Sequence, residues 1–258
     1  MIDLGARADE VIRRFYRTFA ESVGGRVVER DGVVACIGVH PSPIVTNTAW
    51  RAEPSADPAT VLRVIDEVYA AAGFVGSLLT SARTDGDLET AATASGRRVV
   101  AALPVMTVDQ ATFVPAAAMS ARLIDATADL DAVRTILIDG FFEGDPDGRS
   151  LIEATFADPR TVAGPDIGVF LADVDGRPGS VAGAWMLGPD AAIGWVATIP
   201  EARRRGLGAA VTGRAVEHAF DQGAELVVLE SSPSGRPVYE RLGFTAVGLD
   251  RIWEPAAD

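Results

Sequence analysis

Residues 193–210 read Ile-Gly-Trp-Val-Ala-Thr-Ile-Pro-Glu-Ala-Arg-Arg-Arg-Gly-Leu-Gly-Ala-Ala. The stretch begins as an apolar run with β-branched residues at Ile193, Val196, Thr198 and Ile199, the composition of a buried strand. Pro200 stops the run. Three arginines follow, then Gly206-Leu207-Gly208, and the pattern turns helical. A chain with this order passes from strand to helix through a tight, glycine-bearing turn. The first-turn N–H groups of the helix lack partners and carry the positive end of its dipole, so the turn is an anion site. Glycine has no Cβ, so a phosphate can approach the backbone at 206 and 208. The reading is a loop that grips a pyrophosphate, and a solvated charge run is the plainer alternative.

The elements around this stretch alternate between strand and helix. After about residue 121 the expected order is a strand over Arg122–Ala126, a helix from Asp129 through Phe142, and a polar loop, Gly144–Gly148. A helix over Ser150–Phe156 follows. Three strands come next, Ile167–Asp173, Ser180–Leu187 and Ala192–Thr198, turned at Asp175-Gly176 and Gly188-Pro189-Asp190. The helix after Gly206 ends by Gly223. A buried strand over Glu225–Glu230, a short helix over Arg236–Leu242 and a strand over Phe244–Trp253 finish the chain. The first half gives a looser version. It has a helix over 9–22, a hairpin turned at Asp31-Gly32, a strand over Ile44–Arg51 and a helix capped by Asp57 with Pro58 at its first position. It continues with strand Phe74–Thr80, helix Asp87–Ser95 and strand Val99–Met106. Both halves end on buried strand, short helix, glycine and strand, which reads as a duplicated unit. The first copy has no arginine–glycine loop. Residues 109–119 read as the linker, giving domains 1–115 and 119–258.

The chain has 258 residues, enough for two domains, and a net charge of −13. No lysine occurs. Before residue 118, 11 arginines face 14 carboxylates; after it, 12 face 22. So acidic a body is a poor binder of nucleic acid, and no partner of that kind is expected. Arg203–Arg205 is local positive charge, suited to a compact anion. No apolar run is long enough for a membrane span. The single cysteine, Cys36, excludes an intrachain disulfide and a thiolate metal site, and no metal is expected. With no signal-like N-terminus, these features point to a cytoplasmic protein. The absence of any lysine also excludes a phosphate loop of the G-x-x-x-x-G-K-[S/T] type.

Two further features carry a resemblance. Arg203-x-x-Gly206-x-Gly208 directly follows the strand Trp195–Thr198, and Tyr239-Glu240-Arg241-Leu242-Gly243-Phe244 lies beyond a short strand downstream. Together they resemble the GNAT superfamily of N-acetyltransferases over about 121–258. The whole chain looks like the tandem type, with a degenerate copy in front. The resemblance implies an α/β (α+β) fold of two such domains, each a mixed sheet flanked by helices. It implies acetyl-CoA as cosubstrate and an amine, small-molecule or peptide, as acceptor. The pyrophosphate would sit on Arg203, Arg204, Arg205, Gly206, Leu207, Gly208 and Ala209. Val196, Ala197 and Thr198 would bond the pantetheine arm. Tyr239 would protonate the leaving thiolate. Many members carry Asn about seven residues before this tyrosine; here Ser232 stands there and can still hydrogen-bond the cofactor.

Plainer readings stand beside several residues. Tyr239 is either a general acid or a packing tyrosine. Glu230 is a base or a surface carboxylate. Asp139, Glu143, Asp145 and Asp147 lie where the family forms its acceptor site, and also read as an ordinary solvated loop. His40 and His218 read as structural, and Cys36 as a small buried hydrophobe. Trp185, Trp195 and Trp253 read as core or groove lining. The leading expectation is an acetyl-CoA-dependent N-acetyltransferase working by direct transfer in a ternary complex. The alternative is a non-catalytic acyl-CoA-binding module. A homo-oligomer is compatible with either.

Overall fold

The computed structural model describes residues 3–43, 46–116 and 121–255. Ile44 and Val45 of the expected third strand, and residues 117–119 of the expected linker, lie outside that set.

Two compact units divide the chain, Met1–Val105 with Ala246–Asp258, and Met106–Thr245. The first begins with α1 (Leu4–Ser22), which starts earlier than the apolar periodicity suggests because the Asp3 side chain accepts the Ala6 N–H. It continues with β1 (Arg26–Arg30), β2 (Val33–Ile37), β3 (Thr48–Arg51), α2 (Pro58–Ala72), β4 (Ser77–Ser81), α3 (Gly86–Ala94) and β5 (Arg98–Val108). The second holds β6 (Ala121–Leu123), α4 (Leu130–Phe142), α5 (Pro146–Thr155), β7 (Ile167–Val174), β8 (Arg177–Leu187), β9 (Asp190–Thr198), α6 (Leu207–Asp221), β10 (Leu226–Glu230) and α7 (Arg236–Arg241). Strand β11 (Thr245–Glu254) ends the chain. Helix α5 opens at Pro146, inside the stretch expected as loop. Asp145 caps it by accepting the Asp147 and Gly148 N–H groups, the same Asp-Pro device that opens α2.

The string β1-β2-β3-α2-β4-α3-β5 recurs as β7-β8-β9-α6-β10-α7-β11, and the pairings recur with it. In each unit two antiparallel pairings, β1–β2–β3 and β7–β8–β9, lead to a parallel one, β3–β4 and β9–β10. The parallel pair needs a crossover, and the amphipathic helices α2 and α6 supply it. The sequence order does not give the course of the last strand of each copy. β5 ends in the second unit at Met106–Val108, while β11 pairs antiparallel with β4 of the first, Ile252 against Leu79 and Trp253 against Leu78.

Trp253 therefore belongs to the core of the first unit, with Val61, Leu62, Ile65, Leu78 and Leu88. Its indole N–H donates to Thr80 Oγ1 at 2.9 Å. Beside it, Arg251 donates to both oxygens of Glu89, which also accepts from Thr80. In the second unit Trp185, Ile136, Leu137 and Leu151 are fully buried. Successive strand residues point to opposite faces, and β9 uses both. A Cβ placed on Gly140 of α4 would lie 2.9 Å from the Ala197 Cβ, and one on Gly208 of α6 would lie 3.5 Å from Thr198 Oγ1. Helices α4 and α6 thus cover opposite faces at the end of β9.

Trp253→Ala is expected to destabilise the first unit by about 3–5 kcal/mol, the usual cost of truncating a buried tryptophan. Urea unfolding checks it, with increased proteolysis of residues 3–105 as the local signature.

Candidate active site

Strand β9 is irregular where it matters. It pairs with β8 so that Val181 faces Ala197 and Gly183 faces Gly194, which leaves Trp195 and Val196 together opposite Ala182. Two residues against one is a β-bulge. Trp195 takes φ 55°, a left-handed conformation that costs a non-glycine residue about 1–3 kcal/mol. Aromatic packing holds it there: its ring lies edge-on to Phe156 at 4.9 Å and to Phe141 at 6.2 Å. On its other side β9 pairs with β10 over three positions only, Asp190–Ala192 against Leu226–Val228. Beyond Ala192 the two parallel strands part. The end of β9 then presents backbone N–H and C=O groups that no strand satisfies among the described residues.

A short turn over Pro200–Ala202 leads from β9 to α6. Gly206 is the N-cap of α6, with φ 85°, and no side chain caps the helix. The contrast with the first copy is chemical. There Asp57 accepts the Thr60 N–H at 3.0 Å, so the chain's own carboxylate fills the helix N-terminus. At α6 that place is left to something else.

The three arginines have three roles. Arg203 is turned inward, donating from Nε to the Thr198 carbonyl at 3.3 Å and from NH2 to the Gly140 carbonyl at 3.0 Å. It ties α4 to the end of β9. Arg205 points away and makes a bidentate pair with Asp175 in the β7–β8 turn, at 2.8 and 3.1 Å. Arg204, with φ 61°, makes no hydrogen bond or ion pair among the described residues and stands exposed beside Gly206.

A cleft of about 800 Å³ opens between the end of β9, the start of α6, and α7. Val196, Ala197, Thr198, Arg203, Arg204, Gly206, Leu207, Gly208, Ala209, Ser232 and Tyr239 all line it; of the expected site residues Arg205 alone does not. Ser232 Oγ lies 3.1 Å from Ser234 Oγ and accepts the Gly235 N–H, ordering the turn into α7. A Cβ on Gly235 would lie 2.8 Å from the Tyr239 ring, so this turn needs a glycine for the ring to pack. Tyr239 is buried, and its hydroxyl has no hydrogen-bond partner among the described residues. Desolvation pushes the phenol up to about 12.

Gly140, Phe141 and Arg241 also line the cleft and were not expected there. A signal existed for the first: a glycine inside a helical run marks a close approach of backbones. Glu230, half-buried at the end of β10, does not line the cleft, nor do Glu201, Asp139, Glu143, Asp145 or Asp147. Asp145 is spent as a cap, and Glu143 ends α4 with φ 50°. His218 packs against Phe170 with ring centroids 5.5 Å apart, and burial lowers its pKa. His40 Nδ1 accepts the Ser42 N–H. Cys36 is buried, and desolvation holds its thiol up at about 12, which removes it as a nucleophile.

The raised Tyr239 value gives an expected outcome. The phenolate is disfavoured by burial, so Tyr239 ionises only as pH approaches about 12. In an alkaline absorbance titration, Tyr239→Phe is expected to leave the phenolate signal below about pH 11 unchanged. A loss of signal in that range would mean the hydroxyl is solvated.

Residues 130–244 match the family described as acetyltransferase (GNAT). No curated protein matches the chain. Among solved structures, a GCN5-related N-acetyltransferase from Kribbella flavida is similar over 100% of this chain and 98% of that one, with TM-score 0.77 and 21% identity. A functionally unknown conserved protein from Staphylococcus epidermidis ATCC 12228 is similar over 91% of this chain and 96% of that one, with TM-score 0.65 and 14% identity. A GCN5-related N-acetyltransferase-like protein from Streptococcus suis 89/1591 covers 95% and 98%, with TM-score 0.57 and 15% identity. At these identities the likeness is one of fold, and it runs through both units.

Proposed function

Because the chain carries an acetyltransferase domain of the GNAT family at residues 130–244, we propose that it transfers the acetyl group of acetyl-CoA to an amine by direct attack in a ternary complex. One conjunction carries this reading. A single cleft brings together an uncapped helix N-terminus, a strand end that no neighbouring strand pairs among the described residues, and Tyr239. Its volume of about 800 Å³ falls within the usual span for ligand sites.

The first-turn N–H groups at Gly208 and Ala209, with Arg204, hold the pyrophosphate. The groups of Val196–Thr198 that β8, Ser180 and Arg203 do not engage bond the pantetheine amides, as a strand would. Bound there, the thioester supplies an activated acyl group. A backbone N–H near Ala197 polarises its carbonyl, at the point where the bulge turns the strand. Holding acyl group and amine in one orientation removes much of the entropic barrier. Tyr239 is protonated at neutral pH, as any phenol is, and gives its proton to the departing thiolate while the phenolate recovers one from the attacking nitrogen; burial, which disfavours the phenolate, keeps that state short-lived. Arg203 positions the site through two backbone carbonyls and Arg205 supports the turn from outside, so neither is a phosphate ligand in this arrangement.

One observation favours a second reading. Among the described residues lining the cleft there is no carboxylate or imidazole to accept the amine's proton. A module that binds an acyl-CoA without turning it over needs none. Detection of free thiol across a panel of amines separates the two: thiol release with any amine supports transfer, and CoA binding with no release on the whole panel supports the module.

Acetyl-CoA at about 100 times its Kd is expected to stabilise the protein by about 2.7 kcal/mol. Gly206→Glu, which places a carboxylate at the anion site, is expected to abolish the shift in Tm. No shift with wild type and any acyl-CoA would remove the cofactor assignment. Tyr239→Phe is expected to slow turnover at least about a hundredfold while changing CoA affinity much less. Unchanged turnover would remove Tyr239 as the acid.

A further inference from the structure

Two guanidinium groups line the cleft without a partner among the described residues, Arg204 and Arg241. The net charge is −13, and other arginines of this unit are engaged by carboxylates: Arg236 by Glu240, Arg205 by Asp175, Arg214 by Glu217. The two free cations belong to different elements. Arg204 is in the turn before α6, beside the open helix N-terminus. Arg241 is the last residue of α7, two positions beyond Tyr239, with an exposed side chain. An acidic protein repels a polyanionic ligand at long range, so local cations at the cleft have to supply the attraction.

We propose that the cleft has a second anion subsite, formed by Arg241 on α7, that reads the ribose 3′-phosphate of the CoA moiety, while Arg204 and the α6 amides take the pyrophosphate. The assignment rests on the acyl-CoA reading above. A CoA ester carries phosphate at two separated places, and the cleft offers unpartnered charge on two separate elements. The amides of α6 are next to Arg204, which leaves Arg241 for the other group. A guanidinium presents two parallel N–H donors to phosphate oxygens, so the subsite distinguishes a 3′-phosphate from a 3′-hydroxyl.

Isothermal titration with CoA and with 3′-dephospho-CoA tests this without knowledge of the acceptor. Wild type is expected to bind CoA about tenfold more tightly than dephospho-CoA, the yield of one charge-assisted contact. Arg241→Gln is expected to bring the two affinities together, Arg241→Lys to keep part of the difference, and Arg204→Gln to weaken both ligands alike. Equal affinity of wild type for the two ligands would overturn the proposal while leaving the acyl-CoA reading intact. So would loss of discrimination in Arg204→Gln with its retention in Arg241→Gln. Failure of wild type to bind either ligand would overturn the acyl-CoA reading itself.

Discussion

The second unit is organised by hydrogen bonds that one strand does not make. β9 is a fully used member of its sheet up to Ala192 and then loses β10 as a neighbour. Unpaired backbone groups in a half-buried place are costly unless water or a ligand meets them. The chain spends bulk on both faces of this strand, with α4 crossing at Ala197 and α6 starting at Thr198. The cleft lies beside the end of this strand, lined by Val196–Thr198, the start of α6 and α7.

The two copies differ in what meets the helix N-terminus at the equivalent place. In the first, the step from β3 to α2 ends in Asp57-Pro58, and the aspartate carboxylate bonds the helix amides. In the second, the step from β9 to α6 ends in glycine with nothing on the amides. A helix N-terminus attracts negative charge, and the question is whose. An internal carboxylate makes a stable helix and closes the site, whereas a glycine leaves the potential for a ligand.

The first unit is completed by the end of the chain. β11 completes the sheet beside β4, Trp253 completes the core there, and Arg251 bonds Glu89. α7, which carries Tyr239 and Arg241, leads directly into β11.

Much of this was legible in the sequence. The strand–turn–helix at 193–210 and the tyrosine segment at 239–244 are local patterns, set by β-branched runs, glycine and helix periodicity. Those properties act over a few residues, so reading them needs no contacts. The allotment of the three arginines was not legible. Arg203, Arg204 and Arg205 are identical in the sequence, and only packing gave one to Gly140 and Thr198, one to Asp175 and none to the third. Nor was the bulge at Trp195, whose ring packs against Phe141 of α4 and Phe156 just beyond α5, nor the seat of β11 in the first unit. The extent of the open strand edge depends on where β10 stops pairing, a register between strands more than thirty residues apart. The sequence by itself determined a strand, an arginine–glycine turn and a helix in that order at 193–210. Tertiary structure decided which groups at that turn remain free, because a donor or acceptor is free only when no distant part of the chain reaches it.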